Sequence, residues 1–115
     1  MENGDYREFF STLANYSRMS IVQLLRRQVA TVTQIADNLG YEQSRVSHSL
    51  ARLQRAGIVA CRWEQKRKTF YIVDEIAPLL LEIETYLQQR RSKLPANAVA
   101  SRPWNGGGNW ATATD

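Results

Sequence analysis

Val32-Thr-Gln-Ile-Ala-Asp-Asn-Leu-Gly40-Tyr-Glu-Gln-Ser-Arg-Val-Ser-His-Ser-Leu50-Ala-Arg-Leu-Gln-Arg-Ala-Gly57-Ile-Val59 is the stretch whose reading decides the fold. It reads as two short helices broken at Gly40, the second stopping at Gly57 and running into an apolar strand. In the second helix, Val46, Leu50 and Leu53 recur at i, i+4 and i+7, so they form a buried stripe. The opposite face then offers Gln43, Ser44, Arg45, Ser47 and His48 to solvent. Two helices and a following β-hairpin form a winged helix-turn-helix, an arrangement that presents one helix to the major groove of duplex DNA.

Upstream, Tyr6, Phe9, Phe10 and Leu13 recur at helical spacing and predict an amphipathic first helix ending near Asn15. Ser17 is the expected cap of a second helix that buries Ile21, Val22, Leu24 and Leu25, with Arg26 and Arg27 at its C-terminal end. Val29 to Val32 reads as a short bridge strand. Thr33 is the expected cap of the third helix, with Ile35, Ala36 and Leu39 inward. The fourth, reading helix spans 42–56.

Downstream, residues 58–63 and 69–73 read as two strands around Glu64-Gln65-Lys66-Arg67-Lys68. That turn lacks glycine, so a loop longer than two residues is expected. A last helix is expected from about Glu75 to Lys93, with Pro78 tolerated in its first turn. Its apolar residues, Ile76, Leu79, Leu80, Leu81, Ile83, Tyr86 and Leu87, cover more than one narrow stripe and call for a surface outside their own domain. Residues 1–94 therefore read as one mainly α domain with a small β-hairpin wing. Residues 95–115, with Gly106-Gly107-Gly108 and no apolar period, read as a disordered tail; Trp104 and Trp110 stand out in it.

Charge placement points the same way. The 115 residues carry a net charge of +4 and are 43% apolar. Between Glu42 and Lys68 lie seven basic residues and two acidic ones, while the remainder is close to neutral. The positive charge sits on the reading helix and hairpin, where a polyanion would be held by counterion release. Arg52, Arg62, Lys66, Arg67 and Lys68 are the expected backbone or minor-groove contacts, with Thr33 a candidate phosphate ligand at its helix start. Arg45 suits bidentate pairing with guanine and Gln43 with adenine. His48 can meet either a base or a phosphate.

Together, Leu13-Ala14-Asn15-Tyr16-Ser17-Arg18, Gln43-Ser44-Arg45-Val46-Ser47-His48-Ser49-Leu50, Ala56-Gly57-Ile58-Val59 and Thr69-Phe70-Tyr71 resemble the ArsR/SmtB family of winged-helix repressors. The resemblance covers roughly residues 5 to 93. It implies a homodimer built from the first and last helices, through Tyr6, Phe9, Phe10, Leu13, Leu79, Leu80, Ile83, Tyr86 and Leu87. It also implies an imperfect inverted repeat of double-stranded DNA as the target. Metal-sensing members carry paired cysteines on the third helix or Asp, His and Glu ligands on the last. Here the third-helix segment is Thr31-Val32-Thr33-Gln34-Ile35, and the whole chain has one cysteine and one histidine. Neither a tetrahedral N/S site within a subunit nor a dithiol switch can be assembled from these. No metal and no cofactor are expected, and the sequence names no effector.

A winged-helix module that binds protein alone is the competing reading. An enzyme is not indicated: no nucleophile elbow or metal cluster is present, and the glycine run follows no strand. Cys61 is expected to pack as a small hydrophobe on the inner face of the hairpin. Without a membrane-length apolar run or a signal-peptide layout, the expected location is the cytoplasm.

Overall fold

The computed structural model describes residues 3–93, so the expected tail at 95–115, with Trp104 and Trp110, lies outside the described residues. The order is α1 (Asn3–Leu13), α2 (Tyr16–Leu25), α3 (Val32–Leu39), α4 (Gln43–Arg55), β1 (Val59–Glu64), β2 (Arg67–Ile72) and α5 (Ile76–Lys93). This is the winged helix-turn-helix class that the sequence indicates.

One core joins these elements. Ile21, Val22, Leu24 and Leu25 of α2 meet Ile35 and Ala36 of α3 and Val46, Leu50 and Leu53 of α4. Ile58, Val59, Phe70 and Ile72 close it from the hairpin side. Gly40 (φ 71°) and Gly57 (φ 76°) end α3 and α4 in the left-handed region, where a Cβ would be strained. The Gly57 turn lets Ile58 N–H donate to Leu53 O at 2.9 Å, which aims the chain from α4 into the wing.

Several boundaries differ from expectation. Asn15, not Ser17, caps α2, its side chain accepting from Arg18 N–H. Thr31, not Thr33, caps α3, in a reciprocal capping box with Gln34. Thr33 is an exposed residue of the first helical turn. With the helix starting at Val32, the expected bridge strand shrinks to one residue. Ala30 exchanges two backbone hydrogen bonds with Phe70, at 3.2 and 2.8 Å.

The hairpin turn is also tighter than expected. Glu64 pairs with Arg67, leaving Gln65 and Lys66 as a two-residue loop with φ of 49° and 65°. Positive φ at both positions is the type I′ signature, whose twist matches that of the flanking strands. Left-handed backbone costs an L-residue roughly 1–2 kcal/mol. Six cross-strand pairs from Val59↔Ile72 to Glu64↔Arg67 offset that cost. Strand twist outweighs local residue preference here.

Helices α1 and α5 bury little of their apolar surface. Leu13 and Leu80, expected at a subunit interface, are core residues at 6% exposure each. They are the points where α1 and α5 anchor to their own domain, so they are not free to meet a partner. Phe9 and Ile83 are half-buried. Tyr6, Phe10, Leu79, Leu81, Tyr86 and Leu87 remain exposed. Arg26, at the C-cap of α2, holds α5 through Glu84 at 2.6 Å. Among the described residues, no helix is long and apolar enough to cross a membrane.

The strained turn yields an expected outcome. Lys66→Gly should raise stability by about 1 kcal/mol, because glycine adopts positive φ freely. Denaturant unfolding measures it, and an unchanged or lower midpoint would contradict the turn assignment.

Candidate nucleic-acid interface

The geometry of α4 follows from its buried stripe. With Val46, Leu50 and Leu53 at 0–1% exposure and Ser49 beside them at 8%, the far side must face outward. Ser44, His48, Ala51 and Arg55, at i, i+4, i+7 and i+11, form the central outward row, and Ser47 lies next to it. All five are exposed. Arg55, not among the DNA contacts expected on sequence grounds, lies on this row by its spacing from Ser44 and His48.

The two flanks of α4 are occupied differently. On one, Arg45 donates from Nε and Nη2 to Ser17 Oγ at 2.9 and 2.5 Å, and its guanidinium lies 3.9 Å from the centre of the Tyr41 ring. Arg45 remains exposed, but it leans on the start of α2 rather than standing free on the central row. Seven residues on, Arg52 turns the same way, toward Glu8 of α1 at 3.9 Å. Arg52 Nε is buried and makes no hydrogen bond among the described residues. The sequence places Arg52 with the DNA contacts; the fold directs it into the α1–α4 junction instead. Arg18 lies nearby and donates to Thr12 O at 2.6 Å and Ser11 O at 3.3 Å, closing the end of α1. Burial and the neighbouring Arg52 lower the Arg18 pKa, against the opposing pull of Glu8.

On the other flank, Gln43 is exposed, and Gln54 reaches the wing, its Nε2 donating to Cys61 Sγ at 3.5 Å. Cys61 is half-buried against the core, as its place on the inner face requires.

The wing carries its cations at and beside the tip. Lys66 occupies the turn, and Lys68 lies 5.7 Å over the Phe70 ring. Arg67 and Lys68 share a shallow hollow with Thr31, Val32, Thr33 and Gln34. Thr33 is thus beside two cations, even though it caps nothing. Arg62 differs from the other wing cations. Its guanidinium is hydrogen-bonded to Glu64 on the same strand and lies 4.8 Å over the Tyr71 ring. The hydrogen bond to Glu64 raises the Arg62 pKa. Among the described residues, no three His, Cys, Asp or Glu side chains are grouped to hold a metal ion.

Comparison with known proteins fits this geometry. The bacterial regulatory protein family arsR matches residues 15–60, from the cap of α2 into β1. An uncharacterised HTH-type transcriptional regulator of Methanocaldococcus jannaschii, MJ1325, is 36% identical over 69 residues, covering 59% of this chain and 78% of that protein. The chain belongs to the ArsR family of regulators. The uncharacterised HTH-type regulator Rv0081 of Mycobacterium tuberculosis is 37% identical over 75 residues, covering 64% of this chain and 66% of that protein. Its crystal structure superposes with a TM-score of 0.71 at 29% identity, covering 87% of this chain and all of that one. A homodimeric winged helix-turn-helix domain of Mycobacterium bovis, Mb0332, shares the fold at a TM-score of 0.72 and 24% identity, covering 79% and 85%. The family and these relatives are transcriptional regulators, not enzymes. The family assignment places this chain among the arsR-type regulatory proteins, and it spans just under two thirds of the mycobacterial relative's length.

Because Glu64 engages Arg62 and adds negative charge to the wing, Glu64→Gln should strengthen binding to any duplex. The slope of log K against log salt should steepen by about 0.9 as Arg62 takes up a phosphate. Titrations at several salt concentrations measure this, and an unaltered slope would place Arg62 outside the DNA footprint.

Proposed function

We propose that this ArsR-family regulator acts in the cytoplasm as a homodimeric repressor that occludes a promoter by binding an inverted repeat. Each α4 enters a major groove, and the two half-sites are spaced by about one helical turn, roughly 34 Å. The observation that carries this reading is the outward row Ser44–His48–Ala51–Arg55, set between Gln43 on one flank and Arg45 on the other. Short side chains in the row allow close approach, while Gln43, Ser44, Ser47, His48 and Arg55 supply hydrogen bonds to base edges or nearby phosphates. Arg45 exchanges its exposed hydrogen bonds with Ser17 for a guanine edge when DNA arrives, a swap of about 1 kcal/mol. Lys66, Arg67 and Lys68 hold the backbone or minor groove, and Thr33 lies against the phosphate nearest Arg67 and Lys68.

Pairing through α1 and α5 is supported by their exposed apolar side chains and by the homodimeric state named for the M. bovis domain. Tyr6 and Phe10 of α1 stack with ring centroids 6.4 Å apart and are exposed, as are Leu79, Tyr86 and Leu87 of α5, and Phe10 and Leu87 line one hollow between the two helices.

Selecting bound duplexes from a random pool tests the whole reading, and recovery of an inverted repeat is the expected result. Arg45→Ala should cost about 1–3 kcal/mol on that repeat and relax its preference. Equal losses on cognate and random duplex would remove Arg45 from the base-reading set. Lys66→Ala should weaken all duplexes alike and flatten the salt slope by about 0.9. Leu87→Glu should convert the dimer to a monomer in sedimentation, with a larger loss on the full repeat than on a half-site. A dimer that survives this change would move the interface elsewhere.

A further inference from the structure

Trp63 is the most exposed large apolar side chain among the described residues, at 71%. It stands on the inner face of the hairpin, in line with Val59 and Cys61 and directly across from Lys68. Nearer the domain that face is fully used: Val59, Phe70 and Ile72 are buried, and Cys61 is half-buried. The hairpin therefore projects past the core, and Trp63 is carried out on the projecting part with nothing among the described residues to cover it.

Its position separates it from the surface assigned to pairing. Six of the exposed large apolar residues belong to α1 and α5, whereas Trp63 is on the wing. The face it occupies is the one turned to α4, since Gln54 of α4 reaches Cys61 two residues earlier. Lys68 lies directly across the ladder from Trp63 and Lys66 occupies the adjoining turn, so an anion-bearing surface complements it.

We propose that Trp63 is a DNA-contacting residue of the wing, its indole laid against the sugar wall of the groove while the adjacent lysines hold the phosphates. This rests on the DNA-binding reading given above and adds to it an apolar contact in a basic element. An indole fits that position because it is a flat apolar body with one N–H donor, and deoxyribose is the apolar part of the backbone. Such a contact releases no counterions, so it contributes affinity that salt does not screen. It also carries little sequence information, because every nucleotide presents the same sugar.

The test uses the full-length chain and its selected duplex. Trp63→Ala should weaken binding about tenfold at every salt concentration, leaving the slope of log K against log salt unchanged. Trp63→Phe should recover most of that loss, whereas Lys68→Ala should lower the slope by about 0.9. With Trp104→Phe and Trp110→Phe in place, Trp63 is the sole tryptophan, and its emission should shift or quench on saturation with DNA. Unchanged emission, unchanged affinity of Trp63→Ala, or a slope reduced as in Lys68→Ala would each overturn the contact. A wild-type protein that binds no duplex would overturn the functional reading and the contact together. A wild-type protein that binds while Trp63 stays silent would overturn the contact alone.

Discussion

Burial of Val46, Leu50 and Leu53 against α2 and α3 is the constraint on which the rest of this molecule depends. A helix has one rotation about its axis that hides all three, and that rotation sets the outward row at the same moment. The hydrophobic effect, with no regard for DNA, thereby decides which polar side chains are offered. At about 1.5–3 kcal/mol per fully buried aliphatic side chain, the stripe far outweighs any single contact on the exposed face. Residues on that face are therefore free to vary while the helix stays where it is.

The two flanks of α4 add a different kind of constraint. Arg45 and Arg52 lean toward α1 and α2, while Gln54 leans toward the wing. Helix α4 is thus tied on one side to α1, which carries exposed Tyr6 and Phe10, and on the other to the cationic hairpin. Partly exposed pairs such as Arg52–Glu8 contribute little stability individually. Their effect is geometric, relating the angle of α4 to the placement of α1. The arginines of this chain are consequently not equivalent. Arg18 and Arg52 complete the internal junction, Arg62 is engaged by Glu64, and Arg55 is exposed on the central row.

Periodicity makes the core side of each helix legible in the sequence, as do the stops at Gly40 and Gly57, because burial and positive φ are local demands that residue type records. Helix starts are less legible. Asn15 and Ser17, or Thr31 and Thr33, are equally able cappers, and only the path of the chain selects between them. The hairpin turn departs from its expected length because twist, a property of two strands, overrides the glycine preference of the loop. The partner of Arg45 lies 28 residues away, a distance that no spacing rule spans. Leu79-Leu80-Leu81 shows the same limit from another side. Three consecutive leucines have no phase, so the sequence does not tell that only Leu80 turns inward.

That phase problem on α5 has a physical reason. A helix serving only its own domain needs one apolar stripe, and a second stripe exposed to water would lower solubility without adding stability. Within the subunit, α5 is held by Leu80, by half-buried Ile76 and Ile83, and by the Arg26–Glu84 pair. Those contacts orient the helix but leave Leu79, Leu81, Tyr86 and Leu87 in water. The apolar surplus on α5, together with Tyr6 and Phe10 on α1, is what a second subunit would cover. Pairing would then fix the separation of the two reading helices through Arg52–Glu8 and the α1–α2 junction, so that one set of buried contacts would determine both the fold and the spacing of the site it reads.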